Sequence, residues 1–203
     1  LFQNMKMQNV DSQELRELRE YIEVIEEQAY RCKNIIQDMI DITKKEDFEV
    51  KAIDLPPVLD ELIKTLNLKK MKIRLKKEIE NGLPRINGDM NALKQCFMNI
   101  LHNATDALEG REGATIRISA SVSGNFVRVE IEDNGIGIHD ELVDKIFEPF
   151  FSTKDTGKGI GLGLTLCYEF LKRMGARIEV KSTLGRGSLF IINLPIFQDM
   201  KGV

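Results

Sequence analysis

Gly157-Lys158-Gly159-Ile160-Gly161-Leu162-Gly163-Leu164 is the stretch on which the reading of the fold turns. Four glycines alternate with other residues immediately ahead of an apolar helical pattern over residues 162–174. At a helix start, exposed backbone N–H groups and the aligned peptide dipoles favour an anion, phosphate above all. The familiar phosphate loops do not fit. A P-loop needs Gly-Lys followed by Ser or Thr, whereas Lys158 is followed by Gly159; a dinucleotide or protein-kinase loop needs a third glycine where this chain has Leu162 or Leu164. A plain surface loop is the bland alternative. Ile160, Leu162 and Leu164 predict packing on one side, so the stretch reads as a phosphate-binding lid. Lys154 and Lys158 can reach polyphosphate as point charges, or be solvated as exposed lysines usually are.

Upstream, Asp133-Asn134-Gly135-Ile136-Gly137 follows an alternating run that predicts a strand, which puts Asp133 at the strand end facing inward. A carboxylate there can accept a hydrogen bond from an amino group such as that of adenine, and the glycines let backbone approach a flat ring. A tight turn is the competing reading, since Asn-Gly is a common hairpin turn. Phe147-Glu148-Pro149-Phe150-Phe151 lies between this motif and the lid; clustered aromatics are usually core, but the position suggests a hinge.

A helix is expected after Asp89, its cap, as far as about Leu108. Leu93, Phe97, Ile100, Ala104 and Leu108 form its apolar face, and Asn99, Asn103 and Asp106 align at i, i+4 and i+7 on another. Asparagine is a mediocre helix former, so two aligned amides suggest oxygen ligands for Mg²⁺, which takes few protein ligands beside phosphate oxygens. A solvated face with chance asparagines is the alternative.

Working outward, residues 58–66 read as a helix and residues 72–79 as a strand. Residues 115–122 and 126–131 read as a hairpin around Gly124-Asn125, residues 177–182 and 188–194 as two last strands, and Gly175 as the helix stop. The Pro56-Pro57 pair and the charged residues 44–51 mark a linker. Before it, Leu15, Leu18, Ile22, Ile25, Ala29, Cys32, Ile36 and Met39 recur at alternating spacings of three and four, widened by Tyr21, Ile35 and Ile40. That is the seam of a packed helix, and its breadth predicts a four-helix bundle built by dimerisation. The expected divisions are 1–46, 47–54 and 55–203.

The balance of the composition is ordinary: 203 residues, 42% hydrophobic, 30% charged, net charge −3. Basic residues are spread rather than blocked, so nucleic acid and anionic membrane are not expected partners. Cys32, Cys96 and Cys167 are far apart and in apolar surroundings, which predicts buried, reduced thiols in the cytoplasm rather than disulfides or a zinc site. No apolar run approaches the roughly 20 residues that cross a bilayer.

Together, Asn99-Ile100-Leu101-His102-Asn103-Ala104, the motif from Asp133, the aromatic cluster from Phe147 and the glycines from Gly159 resemble the N, G1, F and G2 boxes of histidine kinases. These belong to the ATPase family that also includes gyrase, MutL and a class of heat-shock chaperones. The resemblance implies an α+β chain: a long N-terminal helix of a dimeric four-helix bundle, then a two-layer α/β sandwich of the Bergerat type with a mixed sheet. It implies ATP and Mg²⁺ as cofactors, with Asn103 as main metal ligand supported by Asn99 and both in the catalytic role. Asp133 is the implied adenine anchor; Ile138, Ile146 and Leu166 line the base pocket and Ser188 lies near it. His102, Asp106, Ala107, Gly135, Gly137, Phe151 and Thr153 complete the implied contacts, with Lys154, Gly157, Lys158, Gly159, Ile160, Gly161, Leu162, Gly163 and Leu164 from the lid. Hydrolytic relatives carry a glutamate where this chain has Asn99; an amide cannot act as a general base, so phosphoryl transfer is expected instead.

The N-terminal helix resembles the second helix of the dimerisation and phosphotransfer domain, and residues 1–9 the tail of the first, which normally carries the acceptor histidine. The two histidines, His102 and His139, do not occupy the acceptor position. The chain is therefore expected to be a fragment of a cytoplasmic kinase module, without membrane contact of its own, whose partners are a second copy and a response-regulator receiver domain. A serine kinase of the anti-sigma type and a non-catalytic nucleotide-binding scaffold are the alternatives.

Overall fold

Apolar residues at spacings of three and four produce one long helix, α1 (Ser12–Thr43), of 32 residues and roughly 48 Å. The computed structural model describes residues 12–43, 48–153 and 160–198. Lys154, Gly157, Lys158 and Gly159, and residues 1–9, lie outside the described residues. The chain divides into two units between Thr43 and Lys44. Taken by itself, α1 leaves its seam open: Tyr21, Ile25 and Ile36 are 66%, 65% and 58% exposed. Cys32 is exposed too, which corrects the expectation of burial. The apolar residues around it, Ala29 and Ile36 among them, share its helix face and are themselves exposed, so they cannot cover it.

In the second unit the order is β1 (Lys51–Ile53), α2 (Leu55–Thr65), β2 (Arg74–Ile79), β3 (Ile86–Gly88), α3 (Met90–Ala107), β4 (Thr115–Ser123), β5 (Phe126–Asp133), α4 (Gly163–Arg173), β6 (Arg177–Thr183) and β7 (Gly187–Pro195). Two 3₁₀ turns, Asp140–Leu142 and Lys145–Phe147, lie between β5 and α4. Five strands form one sheet in the order β2-β4-β5-β7-β6, and β1 pairs with β3 apart from it. β2 runs parallel to β4 and the remaining neighbours are antiparallel, so the sheet is mixed. β1 and the start of α2 fall at or near the stretch read as a linker. Pro56 and Pro57 sit in the first turn of α2, where a missing N–H costs no intrahelical bond.

Alternation decides which face is core. Ile116 and Ile118 of β4, Val127, Val129 and Ile131 of β5, and Phe190, Ile192 and Leu194 of β7 are all buried. Helices α3 and α4 lie over the sheet, and α3 contributes Leu93, Phe97, Ile100, Ala104 and Leu108 to the core, as its sequence predicts. On the sheet's other face, Arg117 pairs with Glu132 at 2.8 Å and Arg128 with Glu130 at 2.8 Å. Two layers result.

Local chemistry fixes the element ends. Ser123 pairs with Phe126 across Gly124-Asn125, and Gly124 takes φ +60, which a two-residue hairpin loop requires at its first position. Asp89 caps α3, its Oδ1 accepting from the Ala92 N–H at 2.9 Å while Oδ2 accepts from the Glu49 N–H at 2.9 Å. Gly175, at φ +68, closes α4 in a Schellman motif: Ala176 N–H donates to the Leu171 carbonyl and Gly175 N–H to that of Lys172.

Candidate functional site

Asp133 is the last residue of β5 and is 4% exposed. It shares the core-facing side with Ile131 and Val129, and its register partner is Ser188 of β7. Its Oδ1 accepts from the Gly135 N–H at 2.7 Å. Burial pushes the Asp133 carboxyl above the usual carboxylate value, with a smaller upward push from Glu132; backbone N–H groups of Gly135 and Ser188 and the Arg111 charge pull it back. A carboxylate offers about four lone-pair positions, so two backbone donors leave it able to accept from an exocyclic amino group. That is the fit an adenine ring needs.

The loop after Asp133 lies flat against the end of α3. A Cβ on Gly135 would stand 2.6 Å from the Ala107 carbonyl oxygen and 2.7 Å from Asp133 Oδ1, and Gly137, at φ +70, would bring one 2.1 Å from the Thr183 carbonyl oxygen. Ile136 N–H donates to the Ala107 carbonyl at 3.0 Å, which brings Ala107 into the site. Asn134 does not make a hairpin turn: its Oδ1 accepts from the Thr115 N–H at 2.7 Å and its amide donates to the Gly113 carbonyl at 3.1 Å. Farther along, the Ile138 N–H donates to Ser182 Oγ at 2.8 Å. Ser182 directs its one proton to the Gly187 carbonyl at 2.9 Å and so accepts from the Ser188 hydroxyl at 3.0 Å. Ser188 is buried opposite Asp133 in the register of β5 and β7; Ile146 and Leu166 are buried and Ile138 is half-buried.

On α3 the polar stripe stands away from the core. Asn99 and Asn103 are half-buried, and His102 and Asp106 are exposed. Asn99 Nδ2 donates to the Gly163 carbonyl at 3.0 Å, so its Oδ1 remains an acceptor one helical turn before Asn103. A Cβ on Gly163 would stand 3.3 Å from that amide; glycine lets the start of α4 approach α3. Among the described residues no group of three or more His, Cys, Asp or Glu is placed to hold a metal. The donor set available to a cation here is amide oxygen, which suits Mg²⁺ carried on phosphate oxygens.

The aromatic segment is hydrogen-bonded to the described part of the glycine-rich stretch and to the start of α4. Phe150 N–H donates to the Gly161 carbonyl at 3.1 Å, and the Thr165 hydroxyl donates to the Phe147 carbonyl at 3.1 Å. Phe150 has φ +64, a left-handed conformation uncommon for a bulky residue. Leu162 is buried, Ile160, Gly161, Gly163, Leu164 and Phe151 are half-buried, and Thr153 is exposed. Three residues without a distinctive sequence signal also build the site: Arg111, Thr165 and Ser182. Single polar residues in a loop, a strand or a helix carry no spacing from which such bonds could be read.

Residues 88–198 match the family model described as histidine kinase-, DNA gyrase B-, and HSP90-like ATPase. The sensor histidine kinase ZraS of Escherichia coli (strain K12) is 30% identical over 182 residues, which are 89% of this chain and 38% of ZraS; the chain spans well under half of that relative. The catalytic domain of the histidine kinase ThkA superposes with a TM-score of 0.65 at 30% identity, covering 73% of this chain and 98% of that one. ThkA in complex with the response regulator protein TrrA gives a TM-score of 0.76 at 26% identity, over 97% of this chain and 56% of that one. The family match begins at Gly88, just before the Asp89 cap, and runs through β7, taking in every element that meets at Asp133 and Asn99. On that extent of likeness, the chain belongs to the family of histidine kinase-, DNA gyrase B- and HSP90-like ATPases.

Proposed function

We propose that this chain is the kinase module of a two-component sensor, which passes the γ-phosphoryl of Mg²⁺·ATP to a histidine and thence to a response-regulator aspartate in the cytoplasm. The observation that carries this reading is Asn99. A hydrolytic site needs a base one turn before the metal-holding asparagine, and here that side chain is an amide whose nitrogen is engaged by the Gly163 carbonyl. It cannot take a proton from water, so the site holds ATP for transfer. Bound Mg²⁺ would neutralise charge on the β- and γ-phosphates. Asn103 would ligate it with Asn99 in support, Asp133 would receive the adenine amino group, and the glycines from Gly157 to Gly163 would cover the phosphates. His102 lies on α3 and His139 follows the loop after β5, both within the second unit, so neither belongs to a bundle helix and the acceptor is a different histidine.

Dimerisation through α1 is part of the proposal, supported by the open apolar seam. A helix with Tyr21, Ile25 and Ile36 uncovered gains burial only from partners. The complex of ThkA with TrrA supports a response-regulator receiver as the downstream partner. The test mixes this chain with a longer form of the protein that bears the acceptor histidine but is disabled by the Asn103→Asp change. Acid-labile, alkali-stable label on the longer protein is the expected result. Absence of label, or label that survives acid, would overturn histidine kinase activity.

A further inference from the structure

Arg111 follows α3 in a loop pinned by its own N–H donating to the Leu108 carbonyl at 3.1 Å. Its guanidinium reaches two segments far apart in sequence. Nη1 donates to the Gly135 carbonyl at 3.1 Å, and Nη2 donates to the Gly185 carbonyl at 3.2 Å. The first carbonyl belongs to the loop leaving β5 and the second to the turn joining β6 and β7. Those segments meet backbone to backbone: Gly185 N–H donates to the Ile136 carbonyl at 2.6 Å, and Gly137 leaves no room for a Cβ beside Thr183. The Ser182 hydroxyl joins the same strand pair to the loop farther along, at the Ile138 N–H; at Gly135 and Gly185 the planar fork of arginine matches two acceptors at fixed separation where a lysine offers a point charge.

We propose that Arg111 is a positioning residue of the nucleotide site, clamping the Gly135 loop to the β6–β7 turn so that Asp133 and Ser188 are held at the spacing an adenine base needs. The inference rests on the reading of Asp133 as the adenine anchor. Its location explains the choice of element. A side chain from the loop after α3 links the helix carrying Asn99 and Asn103 to both backbone segments that close the base side of the site, so the metal side and the base side keep one geometry. The positive charge is also directed toward the buried Asp133 carboxylate, which it favours in the charged, accepting form.

The experiment uses the whole chain with a non-hydrolysable ATP analogue and Mg²⁺ in titration calorimetry, on the unmodified protein and on Arg111→Ala, Arg111→Lys and Asp133→Asn. Losing two partly exposed hydrogen bonds should raise the dissociation constant of Arg111→Ala about three- to tenfold. Arg111→Lys should recover part of that loss, and both variants should melt within about two degrees of the unmodified protein without nucleotide. If Asp133→Asn binds as the unmodified protein does, the adenine reading itself falls. If Asp133→Asn loses affinity while both Arg111 variants bind normally, Arg111 alone is wrongly assigned. Lower affinity accompanied by a lower melting temperature in Arg111→Ala, with no recovery in Arg111→Lys, makes Arg111 merely structural and overturns the proposal too.

Discussion

Replacing Asp133 by asparagine should move two properties in opposite directions. The side chains are nearly the same size, and an amide oxygen can still accept from the Gly135 N–H that Oδ1 now holds at 2.7 Å. What is lost is the charge and the acceptor left over for the base. A hydrogen bond to a charged group contributes about 1.5–3 kcal/mol, so the dissociation constant for ATP should rise roughly 10- to 150-fold. Stability without nucleotide follows from the proton. Burial holds the folded-state pKa of Asp133 above the ordinary 3.8, so over that interval the native state binds more protons than the unfolded one. Its contribution is complete below 3.8 and is lost as pH rises through the folded value. At pH 7 the carboxylate is therefore a net liability to the empty fold, which Asp133→Asn removes. Paired calorimetric titrations and thermal melts from pH 8 downward should show weaker ATP binding together with an equal or higher melting temperature, the advantage narrowing toward acid. Unchanged ATP affinity would remove Asp133 from the base site; a lower melting temperature at pH 7 would refute burial as the dominant influence on its carboxyl.

Gly135→Ala forces a methyl group to within 2.6 Å of the Ala107 carbonyl oxygen; a backbone obstacle of this kind should cost about 1–3 kcal/mol in urea unfolding, with ATP affinity falling as the loop shifts. A variant that unfolds and binds normally would mean the loop has slack. Asp89→Ala removes the cap on Ala92 and the acceptor for Glu49, a loss of about 1–2 kcal/mol, which Asp89→Asn should restore only in part, because its single amide oxygen can accept from Ala92 or from Glu49 but not from both; full recovery in Asp89→Asn would mean that one of the two bonds carries no stability. Cys32 is exposed whereas Cys96 and Cys167 are buried, and a hydrogen bond with Cys167, then burial, pushes the Cys96 thiol up. A thiol reagent counted by mass spectrometry should modify one cysteine in the native protein. If α1 dimerises through its seam, that labelling should accelerate on dilution; a rate independent of concentration would count against the seam.

Periodicity made the long elements readable. The 18 residues of α3 carry both an apolar stripe and a cap, and β4 and β5 alternate over eight or more positions around a two-residue turn. The short strands β1 and β3 were hidden because three residues cannot display a period, and β1 is followed by prolines that resemble a break until their place in the first turn of α2 is seen. Asp133, Asn99, Gly135, Gly137, Gly161 and Gly163 could be singled out as candidates because the chemistry proposed for them is tied to spacing along the chain. Arg111, Thr165 and Ser182 could not, because each acts on a carbonyl or N–H brought near only by folding. Cys32 shows the opposite limit: apolar neighbours along one helix face predict a surface to be covered, and say nothing of whether a single chain covers it.

β5 and β7 are adjacent in the sheet, with Asp133 opposite Ser188, yet the chain leaves the sheet after Asp133 and does not rejoin it until Arg177 at the start of β6. Everything from the Gly135 loop to α4 is thus an excursion from a sheet whose own pairing does not depend on the excursion's length. Because closure entropy grows only logarithmically, doubling such a connection costs about 0.6 kcal/mol. Insertions, deletions or exchanged sequences in its middle, away from Gly135, Gly137, the buried Ile146, Gly161 and Gly163, should leave the sheet intact while altering how long a nucleotide stays bound. Evolution and engineering can therefore adjust residence time here as a variable nearly separate from folding.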